Sequence, residues 1–338
     1  MTDEATLPIF SEATSWEEAQ AELAALDLSD GLPMVPPTRR RLDAMLEGVS
    51  APEQMYGHLM PLYGELTPVA VGYQCVLAGC VPAELPVVLT ALVGCTDDAF
   101  NLLGIATTTG TPAVATLVHG PITGLLGMNA GSNCIGPGNR ANACIGRAVS
   151  LSLRNIGGAR PGIGDMATMG QPGKYGFCFP ESCAGILPGF AERRGLEVED
   201  AVTVLGVSGN AEVLPVRQDT VEEMLIGIAA AMWGATAAAG GSRERDPLDQ
   251  VFLFQPELAR GAVDRGWTLP MIQAFLADAR PLVLDGAVVS WKGLAERGLA
   301  EGPESIHPIV TGGPGVKITH LPLWGGGTEP ITLPLLRP

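Results

Sequence analysis

Aromatic residues, histidines and basic residues are scarce in this chain of 338 residues. Phe, Trp and Tyr make up 5% of it, there are four histidines, and 20 Lys and Arg stand against 36 Asp and Glu, which gives a net charge of −16. An acidic chain with few rings lacks the charge that binds phosphate backbones or anionic membranes, and it lacks platforms for stacking bases. The composition therefore argues against a nucleic-acid-binding or membrane-surface protein.

Targeting and membrane-spanning features are also missing. The sequence begins with the acidic stretch MTDEATLPIF, where a secretory signal has a basic region followed by an apolar one. The longest apolar runs contain Pro82 and Pro86, or closely spaced Gly and Pro, so none predicts a transmembrane helix of ~20 residues. The seven cysteines are an odd number and do not suggest a disulfide framework. We therefore expect a cytoplasmic protein with free thiols.

The hydrophobic pattern predicts an α/β fold with layered, mixed or mostly parallel sheets and flanking helices. Predicted helices cover 16–27, 38–48, 66–80, 83–95 and 220–239, and strand-like runs occur at 113–118, 201–207, 251–254, 282–284 and 309–311. We expect a main domain over 1–240, with the segment 99–180 at its centre, and a C-terminal α/β subdomain over 241–338. The alternative is one undivided domain. The sequence shows no internal repeat.

Charge is distributed unevenly along the chain. Residues 99–139 contain no Asp, Glu, Lys or Arg, and over 99–180 five basic residues stand against Asp165 alone. A basic segment in an acidic protein predicts a pocket for a small anion. Arg140, Arg147 and Lys174 are then the candidates for binding the negative charge of a substrate. The alternative is that these cations pair with carboxylates elsewhere in the chain or in a neighbouring subunit.

A segment rich in Gly and Asn, GMNAGSNCIGPGN, leads into a predicted helix near Arg140. Free N–H groups at a helix start favour an anion, which predicts an anion contact at 138–142. Asn129 and Asn142, together with Asn101 and Thr108 of the uncharged stretch, are further candidates for substrate binding. The alternative is a set of structural turns. The segment lacks a Walker A motif and G-x-G-x-x-G spacing, so we expect no nucleotide cofactor.

A thiol next to possible proton carriers is the main candidate for catalysis. Cys178 lies between two phenylalanines in a predicted strand that is followed by a loop with Glu181, and His119 follows the strand 113–118. These residue types suggest Cys178 as nucleophile or redox thiol, with His119 or Glu181 moving protons. The alternatives are that the cysteine is buried in the core and that the histidine is a core residue whose ring nitrogens have hydrogen-bond partners. The Cys and His spacings match no zinc motif, so we expect no metal.

Several long segments resemble one known family. They are DGLPMVPPT at 30–38, AGCVPAELPVVLTAL at 78–92, FNLLGIATTTGTP at 100–112, GPGNRANACIGRA at 136–148, NIGGARPGIGDMATMGQPGKYGFC at 155–178 and VTGGPG at 310–315. The chain is similar to a bacterial family of functionally uncharacterised proteins, often encoded beside or fused to a small domain with a U/C-G-S-C thiol or selenol motif. The resemblance implies a possible partner of that kind. The chain departs from the family pattern after Cys178, where PESCAGIL replaces an acidic stretch with a tryptophan, and at Cys144, where a threonine is usual.

These observations predict an enzyme that acts on a small anionic, carboxylate-bearing metabolite by thiol-dependent chemistry, as a lyase, transferase or hydrolase. One alternative is a non-catalytic or half-site subunit of a heteromer whose partner supplies the reactive thiol or selenol. A substrate-binding protein without turnover is the other. We also expect a homo-oligomer, because the predicted helix 220–239 is apolar on all faces and must be covered by this chain or by another.

Overall fold

The structure is a computed structural model that describes residues 7–182, 185–196, 200–214, 220–238, 249–279 and 300–338. Its helices are α1 (Trp16–Ala25), α2 (Arg39–Met45), α3 (Pro68–Ala78), α4 (Leu85–Cys95), α5 (Leu102–Thr107), α6 (Ile122–Leu125), α7 (Arg140–Asn155), α8 (Phe190–Arg193), α9 (Val221–Ala238), α10 (Pro256–Asp264) and α11 (Leu269–Ala277). Its strands are β1 (His58–Leu59), β2 (Gly64–Glu65), β3 (Ala113–His119), β4 (Phe177–Pro180), β5 (Ala201–Val207), β6 (Ala211–Val213), β7 (Gln250–Phe254), β8 (Ile306–Val310), β9 (Ile318–Pro322) and β10 (Ile331–Pro334). The predicted strand at 282–284 lies outside the described residues.

Local signals in the sequence set several helix boundaries. The hydroxyl of Ser15 accepts a hydrogen bond from the N–H of Glu18 at 3.2 Å, and the Glu18 carboxylate accepts one from the N–H of Ser15 at 3.0 Å. This reciprocal capping box starts α1 where the sequence predicts it. Helix α7 begins with a simpler cap, in which Asn139 Oδ1 accepts a hydrogen bond from the N–H of Asn142 at 3.0 Å.

Two four-stranded sheets form the centre of the molecule. The first has the order β10-β5-β3-β4 and the second the order β6-β9-β7-β8. In each sheet the first two pairings are antiparallel and the third, β3 with β4 or β7 with β8, is parallel. These mixed sheets with flanking helices confirm the predicted α/β fold.

The described elements stack as four layers. One apolar cluster joins the first sheet to α3, α4 and α7, and another joins the second sheet to α9, α10 and α11. Between the sheets, Leu117 and Leu205 of the first meet Leu253 and Leu321 of the second. Alternate residues of a strand point to opposite faces, so each sheet has a helix-facing side and a side that faces the other sheet.

The two sheets repeat one topology, which the sequence does not show. In the first sheet the N–H of Glu181, just after β4, donates to the carbonyl of Val118 in β3 at 2.9 Å. In the second sheet the N–H of Thr311, just after β8, donates to the carbonyl of Phe254 in β7 at the same distance. The last strand of each half joins the other sheet, since β6 follows β5 but pairs with β9, and β10 follows β9 but pairs with β5. The repeat is one of topology and leaves the absence of a repeat in the sequence unchanged.

This exchange of strands bears on the predicted domains. Strand β10 belongs to the sequence of the expected subdomain over 241–338 and completes the first sheet, while β6 precedes residue 240 and completes the second. The division at residue 240 itself lies outside the described residues and stays a prediction.

Helix α9 is covered on one side by its own chain. Met224, Leu225, Ile228 and Met232 are buried in the cluster behind the second sheet, whereas Ile226 is 54% exposed. Met232 therefore lies in the core and not at an interface. The predicted oligomer stays a prediction.

Among the described residues, no single helix has the length and apolar character needed to cross a membrane. The pair Pro82–Cys95 and Asp98–Thr107 meets those criteria only when taken together, and it is bent by 78°.

Candidate functional site

Two of the predicted anion-binding arginines are held by carboxylates of their own chain. Arg140 lies 2.7 and 3.0 Å from the two carboxylate oxygens of Glu84, a side chain with no solvent exposure. Arg147 grips Asp30 in the same bidentate way, with both distances at 2.8 Å. Such paired contacts are among the strongest in proteins. The structure therefore favours the alternative of internal ion pairs for Arg140 and Arg147 and lends no support to their binding a substrate.

The structure gives a structural role to the amide side chains near the predicted anion contact at 138–142, which itself stays a prediction. Asn139 caps the start of α7. The side chain of Asn142 forms hydrogen bonds with the loop that precedes the helix. Its Nδ2 donates to the carbonyls of Asn129 and Cys134 at 3.0 and 2.9 Å, and its Oδ1 accepts from the N–H of Asn129 at 3.1 Å. Asn129 in turn bonds Gly131 and Ser132. The Gly/Asn-rich loop is thus stabilised by its own amides, which leaves none of these groups directed at a ligand.

Asn101 and Thr108 have structural roles as well. Asn101 caps α5 by accepting from the N–H of Gly104 at 3.1 Å, and its Nδ2 donates to the carbonyl of Gly327 at 2.9 Å. Thr108 accepts from the N–H of Gly110 at 3.0 Å, two residues on. Both side chains therefore hold turns together, as the alternative interpretation proposed, and their assignment to substrate binding is corrected.

Cys178 is a core residue. Its side chain faces α7 from the middle of β4, it is 5% exposed, and burial raises the pKa of its thiol well above the usual value. The backbone of α7 lies so close that a Cβ on Gly146 would come within 3.0 Å of the Cys178 nitrogen. A thiol held neutral in the core is a poor nucleophile. The prediction that Cys178 is catalytic is therefore wrong, and the packing alternative explains it.

His119 and Glu181 do come together. His119 Nδ1 lies 2.8 Å from a carboxylate oxygen of Glu181, and its Nε2 lies 2.7 Å from the hydroxyl of Thr203, which in turn lies 2.9 Å from the hydroxyl of Thr332. The order carboxylate, imidazole, hydroxyl is that of a catalytic triad. Thr203 is fully buried, however, and His119 is 5% exposed. These hydrogen bonds run from β3 to β5 and β10 within the first sheet. The Thr203 hydroxyl that bonds His119 does not reach a surface, so it does not serve as a nucleophile.

A pocket of about 380 Å³ lies on the helix side of the first sheet, beside the starts of β3 and β4. Ten of its lining residues are apolar: Leu102, Ile105, Ala106, Pro112, Ala113, Val114, Leu151, Leu153, Ala159 and Pro161. Its polar lining consists of Ser29, Asp30, Ser150, Arg154, Asp165, Lys174 and Tyr175. An apolar cleft of this size with a few polar groups is typical of small-molecule sites. We call it the Lys174 pocket.

Lys174 supplies an ammonium at this pocket. Its Nζ lies 2.6 Å from Asp165 Oδ2, and the two side chains are 23% and 17% exposed. An ammonium has three N–H donors, and this pairing uses one of them. Of the predicted substrate-binding residues, Lys174 lines this pocket, and Asn101 lines a second, larger cavity.

The charged groups that line the pocket balance one another. Lys174 and Arg154 stand against Asp165 and Asp30. Lys174 pairs with Asp165, and Arg154 pairs with Asp27, which lies outside the lining. Arg154 Nη1 is buried and has no hydrogen-bond partner within the described part of the chain. An anion that reached this atom would give it a partner.

Only part of this pocket has a signal in the sequence. Asp165 stands out as the lone acid of 99–180, but its pairing with Lys174 needs the turn formed by 166–173. Asp27 and Asp30 are more than a hundred residues away from the arginines that they bind, which local patterns cannot reveal. Across the described ranges, no group of three His, Cys, Asp or Glu is arranged to hold a metal ion.

Comparisons of the chain with family models, with curated proteins and with solved structures give no significant match. The resemblance to a family with U/C-G-S-C partners stays a prediction.

Proposed function

We propose that this protein binds a small carboxylate with an apolar body in the Lys174 pocket. The observation that carries the proposal is the combination of ten apolar lining residues with an ammonium that has two N–H groups left for a ligand. The apolar body of the ligand would lie against residues such as Ile105 and Leu151, and its carboxylate would accept from Lys174 Nζ. Each buried CH₂ group contributes about 0.8 kcal/mol to such binding.

The unused N–H donors favour an anion over a cation here. A carboxylate next to Lys174 would accept a hydrogen bond from the ammonium, and a charged hydrogen bond contributes about 1.5–3 kcal/mol. An amine would meet Asp165 and Asp30, but Lys174 and Arg147 already neutralise these two carboxylates. The proposal therefore keeps the predicted carboxylate-bearing metabolite.

The proposal leaves out the predicted thiol step. Cys178 lies in the core, and burial is the main cause that raises the pKa of the Cys144 thiol as well. The groups of the pocket that could move a proton are the ammonium of Lys174, the carboxylate of Asp165 and the phenol of Tyr175. If the bound metabolite is turned over, these groups are its candidates for acid and base.

The proposal takes the compartment to be the cytoplasm. Six of the seven cysteines lie in the described residues, and all six are free thiols, which supports a reducing environment.

Calorimetric titration tests the proposal with three small carboxylates, benzoate, phenylacetate and hexanoate, and with benzamide as an uncharged mimic. We expect at least one carboxylate to bind with one site per chain and more tightly than benzamide. Lys174→Met keeps the length of the side chain but removes the ammonium, and we expect it to weaken carboxylate binding about 10- to 100-fold.

Lys317→Met is the matched control. It removes an ammonium that is also paired, at 2.5 Å from Glu212, but that lies on the second sheet and outside the pocket. Carboxylate affinity should not change in this variant. The proposal is wrong if none of the three carboxylates binds, or if both lysine variants weaken binding equally.

A further inference from the structure

A second cavity, of about 1410 Å³, lies near the starts of β7 and β8, at the edge of the space between the two sheets. Arg193 and Arg194 line it, together with Phe190, His307 and a glycine-rich loop, Gly325–Gly327. The Lys174 pocket shares none of these residues. We call this space the double-arginine cavity.

The two arginines lie against one aromatic ring. The guanidinium carbons of Arg193 and Arg194 are 5.1 and 4.8 Å from the centre of the Phe190 ring. Backbone carbonyls hold them there, since Arg193 Nη2 donates to Pro308 at 2.7 Å and Arg194 Nη1 donates to Pro330 at 2.9 Å. Their positions are therefore fixed before any ligand arrives.

Neither guanidinium forms an ion pair with a carboxylate in the part of the chain that the structure describes. This separates them from Arg140, Arg147 and Arg154, which all have a carboxylate partner. Arg193 Nη1 is buried and has no hydrogen-bond partner among the described residues. Guanidinium groups stay charged in proteins, so two of them side by side repel each other until an anion is present.

Burial adds to this cost. Desolvation lowers the pKa of Arg193 to about 10, and it lowers the pKa of Arg194 as well. Each shift means that the charged form is less stable here than in water. A dianionic group that contacts both guanidiniums would reduce the repulsion and part of the desolvation cost, and forked N–H donors suit the oxygens of a phosphate.

Five carboxylates also line the cavity, those of Asp98, Asp249, Glu301, Glu304 and Glu329, and Gln273 adds an amide. Several carboxylates would repel a ligand that is anionic along its whole length. They accept hydrogen bonds from hydroxyl groups, however, so the part of the ligand beyond its anionic group must be neutral and rich in O–H donors.

We propose that the double-arginine cavity binds a phosphate monoester of a polyol, such as a sugar phosphate. The phosphate would lie against Arg193 and Arg194, and the hydroxyl groups would donate to carboxylates such as Asp249 and Glu304. The glycine-rich loop allows the ligand to approach the backbone closely, because glycine has no side chain to obstruct it.

Calorimetric titration with glucose 6-phosphate, ribose 5-phosphate and glycerol 3-phosphate tests the proposal, with glucose and inorganic phosphate as partial ligands. We expect at least one ester to bind with one site per chain, at least about tenfold more tightly than inorganic phosphate, and glucose not to bind. Arg194→Gln should weaken the ester about tenfold or more. This variant is preferred to one at Arg193, whose buried guanidinium also bonds the carbonyl of Gly189.

Two control variants make the result specific. Arg337→Gln removes an exposed arginine that pairs with Asp200 outside the cavity, and Lys174→Met alters the other pocket. Neither should change the affinity for the ester. Glu304→Gln should reduce the preference for the ester over inorganic phosphate, because a carboxylate that accepts from hydroxyls is lost.

Three results would overturn the proposal. The first is no binding of any of the three esters at millimolar concentration. The second is equal affinity of the wild type and Arg194→Gln. The third is inorganic phosphate that binds as tightly as the best ester, which would show that the carboxylates contact no hydroxyl groups. The Lys174 pocket is unaffected by all three, because its own test uses different ligands and variants.

Discussion

Cys178 and His119 belong to neighbouring parallel strands but point to opposite faces of the first sheet. Cys178 packs with Val114 and Val118 on the helix-facing side, whereas His119 lies with Phe190 between the two sheets, with the two rings 6.1 Å apart. A sheet therefore separates the thiol from the imidazole. The two strands are neighbours, but successive residues of a strand point to opposite faces of the sheet. The two side chains are therefore not in one site.

Cys178 should be chemically silent in the folded protein. We expect a thiol reagent such as iodoacetamide to leave Cys178 unmodified in native buffer and to modify it after unfolding in urea, as measured by peptide mass spectrometry. Cys178→Ala should leave ligand binding at the Lys174 pocket unchanged. Rapid modification of Cys178 in the native protein would contradict its place in the core.

The bond between His119 and Thr203 should contribute measurably to stability. Thr203→Val leaves His119 Nε2 buried without a partner, which costs about 1–3 kcal/mol. Thr332→Val is the matched control, since it removes only the outer bond of the same chain and leaves His119 paired. Urea unfolding measures both variants. If the two variants have the same free energy of unfolding, the hydrogen bond to His119 contributes no more to stability than the bond between the two threonines.

Acid should destabilise the protein partly through His320. Burial lowers the pKa of His320 to about 4, where it stacks on Phe252 and bonds Gln250. The unfolded chain has a histidine pKa of about 6.5, so between these values the unfolded state binds more protons. Stability from this residue is therefore complete above about pH 6.5 and falls as the pH drops toward 4, by up to ~3 kcal/mol.

His320→Gln should flatten this pH dependence. We expect the free energy of unfolding, measured by urea titration at several pH values, to fall less steeply in the variant than in the wild type between pH 6.5 and 4. His58→Gln is the control, because His58 is exposed on β1. The assignment fails if the two variants show the same slope. His307, whose pKa burial also lowers, contributes in the same direction and remains in both.

Local patterns predicted many of the elements but not how they assemble. The apolar run Ala201–Val207 and the capping box at Ser15 fix β5 and α1 by short-range physics. Strand β10 is four residues long, partly exposed and ends at Pro334, which is typical of an edge strand with a weak pattern. Its pairing with β5, more than a hundred residues earlier, depends on the exchange of strands between sheets.

The features of the candidate site that depend on local sequence were predictable, and those that depend on long-range contacts were not. The low charge of 99–139 suggests burial, and this holds for β3 and much of α5 but not for most of 120–139, where Leu125 is 81% exposed. The excess of basic residues that follows did not indicate free cations, because Arg147 found Asp30 and Arg140 found Glu84. Whether a cation is free for a ligand depends on long-range contacts, which composition does not reveal.

The central claim is that a small carboxylate occupies the Lys174 pocket, and methyl NMR tests it most directly. In protein labelled with ¹³C at Ile, Leu and Val methyl groups, the best-binding carboxylate should shift the signals of Ile105, Val114 and Leu153 as it saturates. Signals of Leu253 and Ile309, between the sheets, should stay in place. Shifts confined to methyl groups outside the pocket, or no shifts at saturating ligand, would contradict the account.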